Sequence, residues 1–145
     1  PITEENLCLI SKHEIDFEEL PNLQRIEYSY NIKQQVPSKF RPQVSVNDSK
    51  RRWWAERYSV PPLTTVMVDS YSICKEMVNN DLGYAFIPET FINDSDDLYK
   101  AKLFLKSGEP IKRTTWLQYK EASMQLNIVH KFVSFVRSQN LPSSP

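Results

Sequence analysis

Two apolar runs, Val66-Met67-Val68 and Tyr84-Ala85-Phe86-Ile87, flank a segment of mixed character. Within that segment Ile73, Cys74, Met77 and Val78 stand at offsets of one, four and five, which is one face of a helix with a 3.6-residue period. The pattern predicts strand, helix, strand. Asp69 or Ser70 can accept hydrogen bonds from the unpaired N–H groups of the first turn and so cap the helix. Pro88 has no N–H for a ladder and ends the second strand. A crossover through a helix returns the chain to the same end of a sheet, so the two strands are expected to be parallel, and the unit predicts an α/β layer.

The flanking sequence extends this layer. Asn6 to Ile10 is continuously apolar after its first residue, as expected of a strand covered on both faces. Phe17 to Leu20 reads as a helical turn or loop before Pro21. Leu23 to Tyr28 reads as a strand in which Leu23, Arg25 and Glu27 alternate imperfectly with Ile26 and Tyr28. Ser29 to Asp48, broken by Pro37 and Pro42, shows no clear period. Ser49 to Tyr58 predicts a helix capped by Asn47, Asp48 or Ser49, with Trp54 and Tyr58 on one face and Pro61-Pro62 at its end. Asn93 to Asp97 is an acidic surface loop, Leu98 to Leu105 an alternating strand, Ser107 to Pro110 a turn, and Arg113 to Tyr119 a further strand. Ser123 is expected to cap a last helix, whose apolar stripe runs from Met124 through Ile128, Phe132 and Phe135, beside Val129, Val133 and Val136, and packs on a sheet. The tail from Asn140 is polar and proline-rich.

Composition narrows the function. Eighteen basic residues against eighteen acidic ones leave no net charge, which disfavours non-specific nucleic-acid binding by the whole surface. The helix at 49–58 is locally basic through Lys50, Arg51, Arg52 and Arg57; a solvated face is the ordinary reading, and a nucleic-acid module with Trp53 and Trp54 stacking on bases is the sharper one. With only two glycines the chain has no phosphate-cradling glycine loop. Cys8 and Cys74 sit in apolar patterns and read as buried thiols, not as metal ligands. His13 and His130 have no nucleophile at a recognisable spacing, and Asp94, Asp96 and Asp97 lack the glycine and terminal glutamate of a calcium loop. No catalytic residue, metal or cofactor is expected. No stretch reaches the roughly 20 apolar residues of a membrane span, and the opening residues are not a signal peptide, so a cytoplasmic protein is expected.

Binding is better supported. Ligands of open α/β layers sit at the carboxyl ends of strands, where helix N-termini direct N–H groups outward. The strand from Val66 delivers Ser70, Tyr71 and Ser72 to such an end. Arg113, opening the strand after the Gly108 turn, offers a planar fork to a carboxylate, or pairs with a neighbour such as Glu109.

The segment VDSYSICKEMVNNDLGYAFIPE, at Val68 to Glu89, resembles the strand, helix, glycine-leucine-glycine, strand, proline signature of the effector-binding domain of LysR-type transcriptional regulators. Asp81 stands where that family usually has its first glycine, a helix-ending position that often needs φ > 0 and that Asp tolerates better than most residues. PIKRTTWLQYKEASMQL, at Pro110 to Leu126, and the apolar helix ending near Val136 extend the resemblance, which looks closest to the citrate-responsive catabolite-control branch of Gram-positive bacteria. The resemblance implies a Rossmann-like, two-lobed fold of periplasmic-binding-protein type II, with lobe two complete and lobe one partial. Residues 1–27 would be the end of lobe one and the first crossing strand, 28–103 lobe two, 104–138 the return crossing and the C-terminal part of lobe one, and 139–145 a tail. It implies a small carboxylate effector, citrate favoured, in an inter-lobe cleft, contacted by Arg113, Ser70, Tyr71, Ser29 and Thr115. It further implies a homodimer or homotetramer of the whole regulator, with DNA held by a winged helix-turn-helix outside this chain and no membrane contact. The same scaffold also carries small-molecule enzymes such as dehydratases, which is the alternative reading.

Overall fold

The computed structural model describes residues 2–29 and 46–139. The stretch without a clear period therefore lies mostly outside the described residues, as does the tail from Asn140.

Strand β1 (Thr3–Ser11) is the organising element. Its second half pairs antiparallel with β4 (Ala85–Pro88) on one side and β5 (Tyr99–Lys102) on the other, while its first half pairs antiparallel with β6 (Lys112–Thr115). One long strand thus crosses from one sheet region into another. Leu7, Leu9 and Ile10 are essentially inaccessible, as the continuous apolar run predicts for a strand covered on both faces.

Strand β2 (Gln24–Tyr28) runs parallel to β3 (Leu63–Val68) along its whole length, so it straddles the expected lobe division at residues 27 and 28. A parallel bridge between Arg25 and Tyr84, with Tyr84 N–H donating to Gln24 O at 3.0 Å and Ile26 N–H to Tyr84 O at 2.9 Å, joins β2 to β4. The path is therefore β3-β2-β4-β1-β5. The strand-helix-strand unit is parallel as predicted, with β2 lying between its two strands.

Each face of this sheet has its own core. On one, Leu7, Leu9 and Phe86 meet Trp53 and Trp54 of α1 (Val46–Ala55); on the other, Ile10, Ile26 and Ile87 meet Tyr71, Cys74 and Val78 of α2 (Tyr71–Asn79). Burying each such large side chain contributes about 1.5–3 kcal/mol. Both cysteines are buried and free; burial pushes the Cys8 thiol up to about 12, aided by Glu89, and the Cys74 thiol up to about 11. Neither is a reactive thiolate at neutral pH.

Several expectations need correction. Helix α1 already runs through Asn47, Asp48 and Ser49, so none of them is its N-cap. Lys50 is not on a solvated basic face: its side chain is 4% exposed and pairs with Glu27 at 2.9 Å. Both tryptophans are also buried, so neither is free to stack on a base, and they anchor α1 to the sheet. Ile73 is exposed, because the face of α2 that meets the sheet is set by Tyr71, Cys74 and Val78. Regular pairing in the alternating stretch at 98–105 is confined to Tyr99–Lys102, although Leu103 and Leu105 are buried beyond it, and β6 covers only the start of the expected strand at 113–119. The acidic loop is tethered, not wholly solvated: Asp96 lies 2.6 Å from Lys75 of α2, and the Lys75 ammonium and the Asn93 N–H hold its carboxyl below the usual carboxylate range. Ser123 lies within a 3-10 turn, Glu121–Gln125, and α3 (Asn127–Ser138) starts after an extended Leu126. The turn closes its own i→i+3 bonds, so Ser123 has no helix N-terminus to cap. Of the apolar residues of α3 only Val133 is buried, while Ile128, Phe132 and Phe135 stand more than half exposed. The stripe is real, but no described element covers it.

Candidate functional site

The site is built where β1 and β6 cross beside the N-terminus of α2. Antiparallel register sets Glu5 opposite Arg113 and Thr3 opposite Thr115. Because side chains alternate along a strand, Arg113 and Thr115 share one face of this ribbon, and Lys112 with Glu4 takes the other, 3.3 Å apart. Arg113 Nε lies 3.3 Å from Glu5 Oε2, an ion pair whose N–H direction misses the oxygen. Thr90 Oγ1 donates to the second oxygen, Glu5 Oε1, at 2.7 Å. Arg113 therefore pairs across the ribbon with Glu5, not along the chain with Glu109.

Tyr71 closes the cluster. The Arg113 guanidinium sits 5.3 Å from the Tyr71 ring centroid, and the ring stacks on Tyr28 at 4.0 Å and tilts against Phe91 at 5.2 Å. Burial pushes the Tyr71 hydroxyl up to about 12 even though the Arg113 charge pulls it down. Tyr71 is thus a neutral wall and donor beside a cation. Ser70 is the N-cap of α2, its Oγ accepting from Ile73 N–H at 3.5 Å, which resolves the choice between Asp69 and Ser70. Its hydroxyl serves the helix first, and the partial positive charge of the helix start adds to that of Arg113.

The remaining predicted residues fall differently. Thr115 ends β6, its carbonyl accepting from Ile2 N–H at 2.7 Å. Ser29 N–H donates to Val68 O at 2.8 Å, and Ser29 lines a cavity beside Glu27, Tyr28 and Lys50. His13 is paired on the surface with Asp81 at 3.4 Å and His130 is exposed on α3, both outside the cluster. Four contributors have no mark in the local sequence pattern: Glu5, Thr90, Tyr28 and Phe91. Only the strand register identifies Glu5, because it lies more than a hundred residues from Arg113. Chemically, a partly exposed guanidinium beside a helix N-terminus and two tyrosines can hold a carboxylate.

Comparison with known proteins gives three results. Residues 39–140 match the family described as LysR substrate binding domain. Over 140 residues the chain is 31% identical to the uncharacterized HTH-type transcriptional regulator YraN of Bacillus subtilis (strain 168), an alignment taking in 97% of this chain and 44% of that protein. It is 32% identical over 87 residues to YkuM of the same organism, another uncharacterized HTH-type transcriptional regulator, covering 60% of this chain and 30% of that protein. The chain thus spans less than half the length of these curated relatives. Among solved structures, the effector binding domain of QuiR in complex with shikimate matches with a TM-score of 0.55 at 13% identity, covering 97% of this chain and 66% of that one. CbnR, a LysR family transcriptional regulator, matches with a TM-score of 0.55 at 16% identity over 97% of this chain and 47% of that one. The Synechocystis PCC6803 CcmR regulatory domain in complex with 2-PG matches with a TM-score of 0.54 at 15% identity, covering 99% and 67%. At such identities the likeness is one of fold: the two-lobed α/β architecture of periplasmic binding proteins.

Proposed function

This chain belongs to the LysR substrate-binding domain family, and on that footing we propose that it is the effector-sensing part of a transcriptional regulator that binds a small carboxylate, citrate foremost, against Arg113. The observation that carries the reading is the cluster of Arg113, Glu5 and Tyr71 at the crossing of β1 and β6. Its guanidinium already accommodates one carboxylate and keeps part of its fork open, its side chain being 28% exposed. A bidentate effector carboxylate is a stronger partner than a single misaligned Glu5 oxygen. Tyr71 and the capped N-terminus of α2 add a donor and a favourable dipole on the same side.

Residues 24–103, with the second half of β1, form lobe two in this reading; the crossing strands and α3 lead to lobe one. Ser70, Tyr71 and Thr115 join Arg113 as effector contacts, and Ser29 borders them from the end of β2. In the whole cytoplasmic regulator, a homodimer or homotetramer, effector binding changes DNA binding by a winged helix-turn-helix outside this chain. The relatives' printed names as HTH-type regulators support that role.

The test is calorimetric titration of the full-length protein with di- and tricarboxylates. Arg113→Ala is expected to weaken citrate binding about ten- to a hundredfold, the loss of one charge-assisted pair. Arg113→Lys should recover only part, because an ammonium lacks the planar fork. Unchanged citrate affinity in Arg113→Ala would sink the assignment.

A further inference from the structure

Strand β2 carries charge into the interior. Arg25 and Glu27 point from it toward α1, while Ile26 and Tyr28 point to the α2 core. Each Glu27 oxygen faces one cation: Oε1 takes Lys50 Nζ at 2.9 Å and Oε2 lies 2.8 Å from Arg25 Nε. The side chains of both cations are more than nine-tenths buried, 6% exposed for Arg25 and 4% for Lys50. One carboxylate therefore faces two buried cations, and one positive charge is left without a counter-ion among the described residues.

A cavity of about 440 Å³ opens on this imbalance. Arg25, Glu27 and Lys50 line it, Arg51 adds a further cation, and Trp54 and Met67 supply apolar wall. The Arg25 guanidinium lies over the Phe86 ring, 4.6 Å from its centroid, and forms no hydrogen bond among the described residues beyond its approach to Glu27. Trp54 Nε1–H donates to Val60 O at 2.7 Å. Burial also lowers the proton affinity of both cations, a cost that Glu27 only partly offsets.

Leaving a buried cation uncompensated is destabilising, and a bound anion offsets most of that cost. The volume suits a small organic molecule. We propose that this cavity between β2, β3 and α1 is a second ligand site, taking a small organic anion whose carboxylate meets Lys50 and Arg25 and whose apolar body lies against Trp54 and Met67. It adjoins the Arg113 cluster through Tyr28, which lines the cavity and stacks on Tyr71, but its cations lie on the α1 side of the sheet and Arg113 on the α2 side.

Benzoate is the probe, titrated into the full-length protein by calorimetry and by tryptophan fluorescence, with acetate and inorganic phosphate as probes that carry charge without an apolar body. Benzoate should saturate, and acetate and phosphate should bind about tenfold more weakly or worse. Lys50→Met, which keeps the volume and leaves Glu27 paired with Arg25, should weaken benzoate about tenfold; its thermal melt reports whether the fold survives. Arg51→Glu, at an exposed position, tests the same site without touching the interior and should also weaken benzoate severalfold. Arg113→Ala should leave benzoate binding unchanged, so this result stands apart from the citrate test. Absence of saturation, full affinity in both Lys50→Met and Arg51→Glu, equal binding of acetate or phosphate, or a loss in Arg113→Ala matching that in the other two would each overturn the proposal.

Discussion

Arg113 and Glu5 illustrate how a single residue pair sets the properties of a site. An ion pair at partial burial is worth about 1 kcal/mol or less when exposed and more as water is excluded. Here Glu5 is the more buried partner, its side chain 13% exposed, and Thr90 holds it in place. Glu5 is therefore an internal competitor for any carboxylate that reaches Arg113. Glu5→Gln is expected to raise citrate affinity severalfold in calorimetric titration, because the amide removes the competing charge while still accepting from Thr90. A fall in affinity would mean that Glu5 orients Arg113 more than it competes. Gly83 is a second residue with a single physical requirement. Its φ is +152°, and a Cβ there would lie 2.4 Å from Gln24 O, the acceptor that Tyr84 N–H uses to join β4 to β2. Gly83→Ala should lower stability by about 2 kcal/mol or more, read from a thermal melt.

At the scale of the element, helix α2 has both ends specified. Ser70 caps the start. At the finish Asp81 has φ +59°, its N–H donates to Val78 O at 2.9 Å, and Leu82 N–H donates to Met77 O at 3.1 Å. These two bonds form a Schellman motif around a left-handed residue, which glycine occupies without cost and Asp with little. Asp81→Gly should be neutral or slightly stabilising, and Asp81→Val should cost about 1 kcal/mol or more, since a β-branched side chain clashes at positive φ. Equal melting temperatures for the valine and glycine variants would contradict this geometry. The helix matters to the candidate site because its start carries Tyr71 and its length sets where β4 begins.

At the scale of the whole molecule, the exposed face of α3 dominates. Leu126, Ile128, Phe132 and Phe135 expose 57% or more of their surface, and Trp116 and Tyr119 are also exposed in the preceding segment. Apolar exposure of this kind is a protein interaction surface or an aggregation liability. A preparation of these 145 residues alone is expected to self-associate in light scattering, and Phe132→Lys with Phe135→Lys should restore a monomer. Both positions are solvent-facing, so the double variant should keep its melting temperature. A monomeric parent at high concentration would show that this face is quiet in solution.

The strand-helix-strand unit, the two-faced burial of β1 and the left-handed end of α2 were all readable from the chain, because periodicity, cap chemistry and φ preference act within a few residues of one another. Arg113 and Tyr71 were also readable as a cation and a helix-start residue. Their meeting was not, since it depends on β6 pairing with β1 and on Tyr28 stacking behind Tyr71. The insertion of β2 between β3 and β4 leaves no local mark for the same reason. Charge is not legible locally where burial is decided by distant partners: Lys50 has the composition of a solvated helix face, and only Glu27 arriving on β2 makes its burial tolerable. The alternation of Arg25 and Glu27 with Ile26 and Tyr28 was the one signal of that ion cluster in the sequence. Conversely, the stripe on α3 announced an amphipathic helix, yet a periodic pattern defines only which face is apolar; what covers that face is a property of whatever the rest of the structure brings against it.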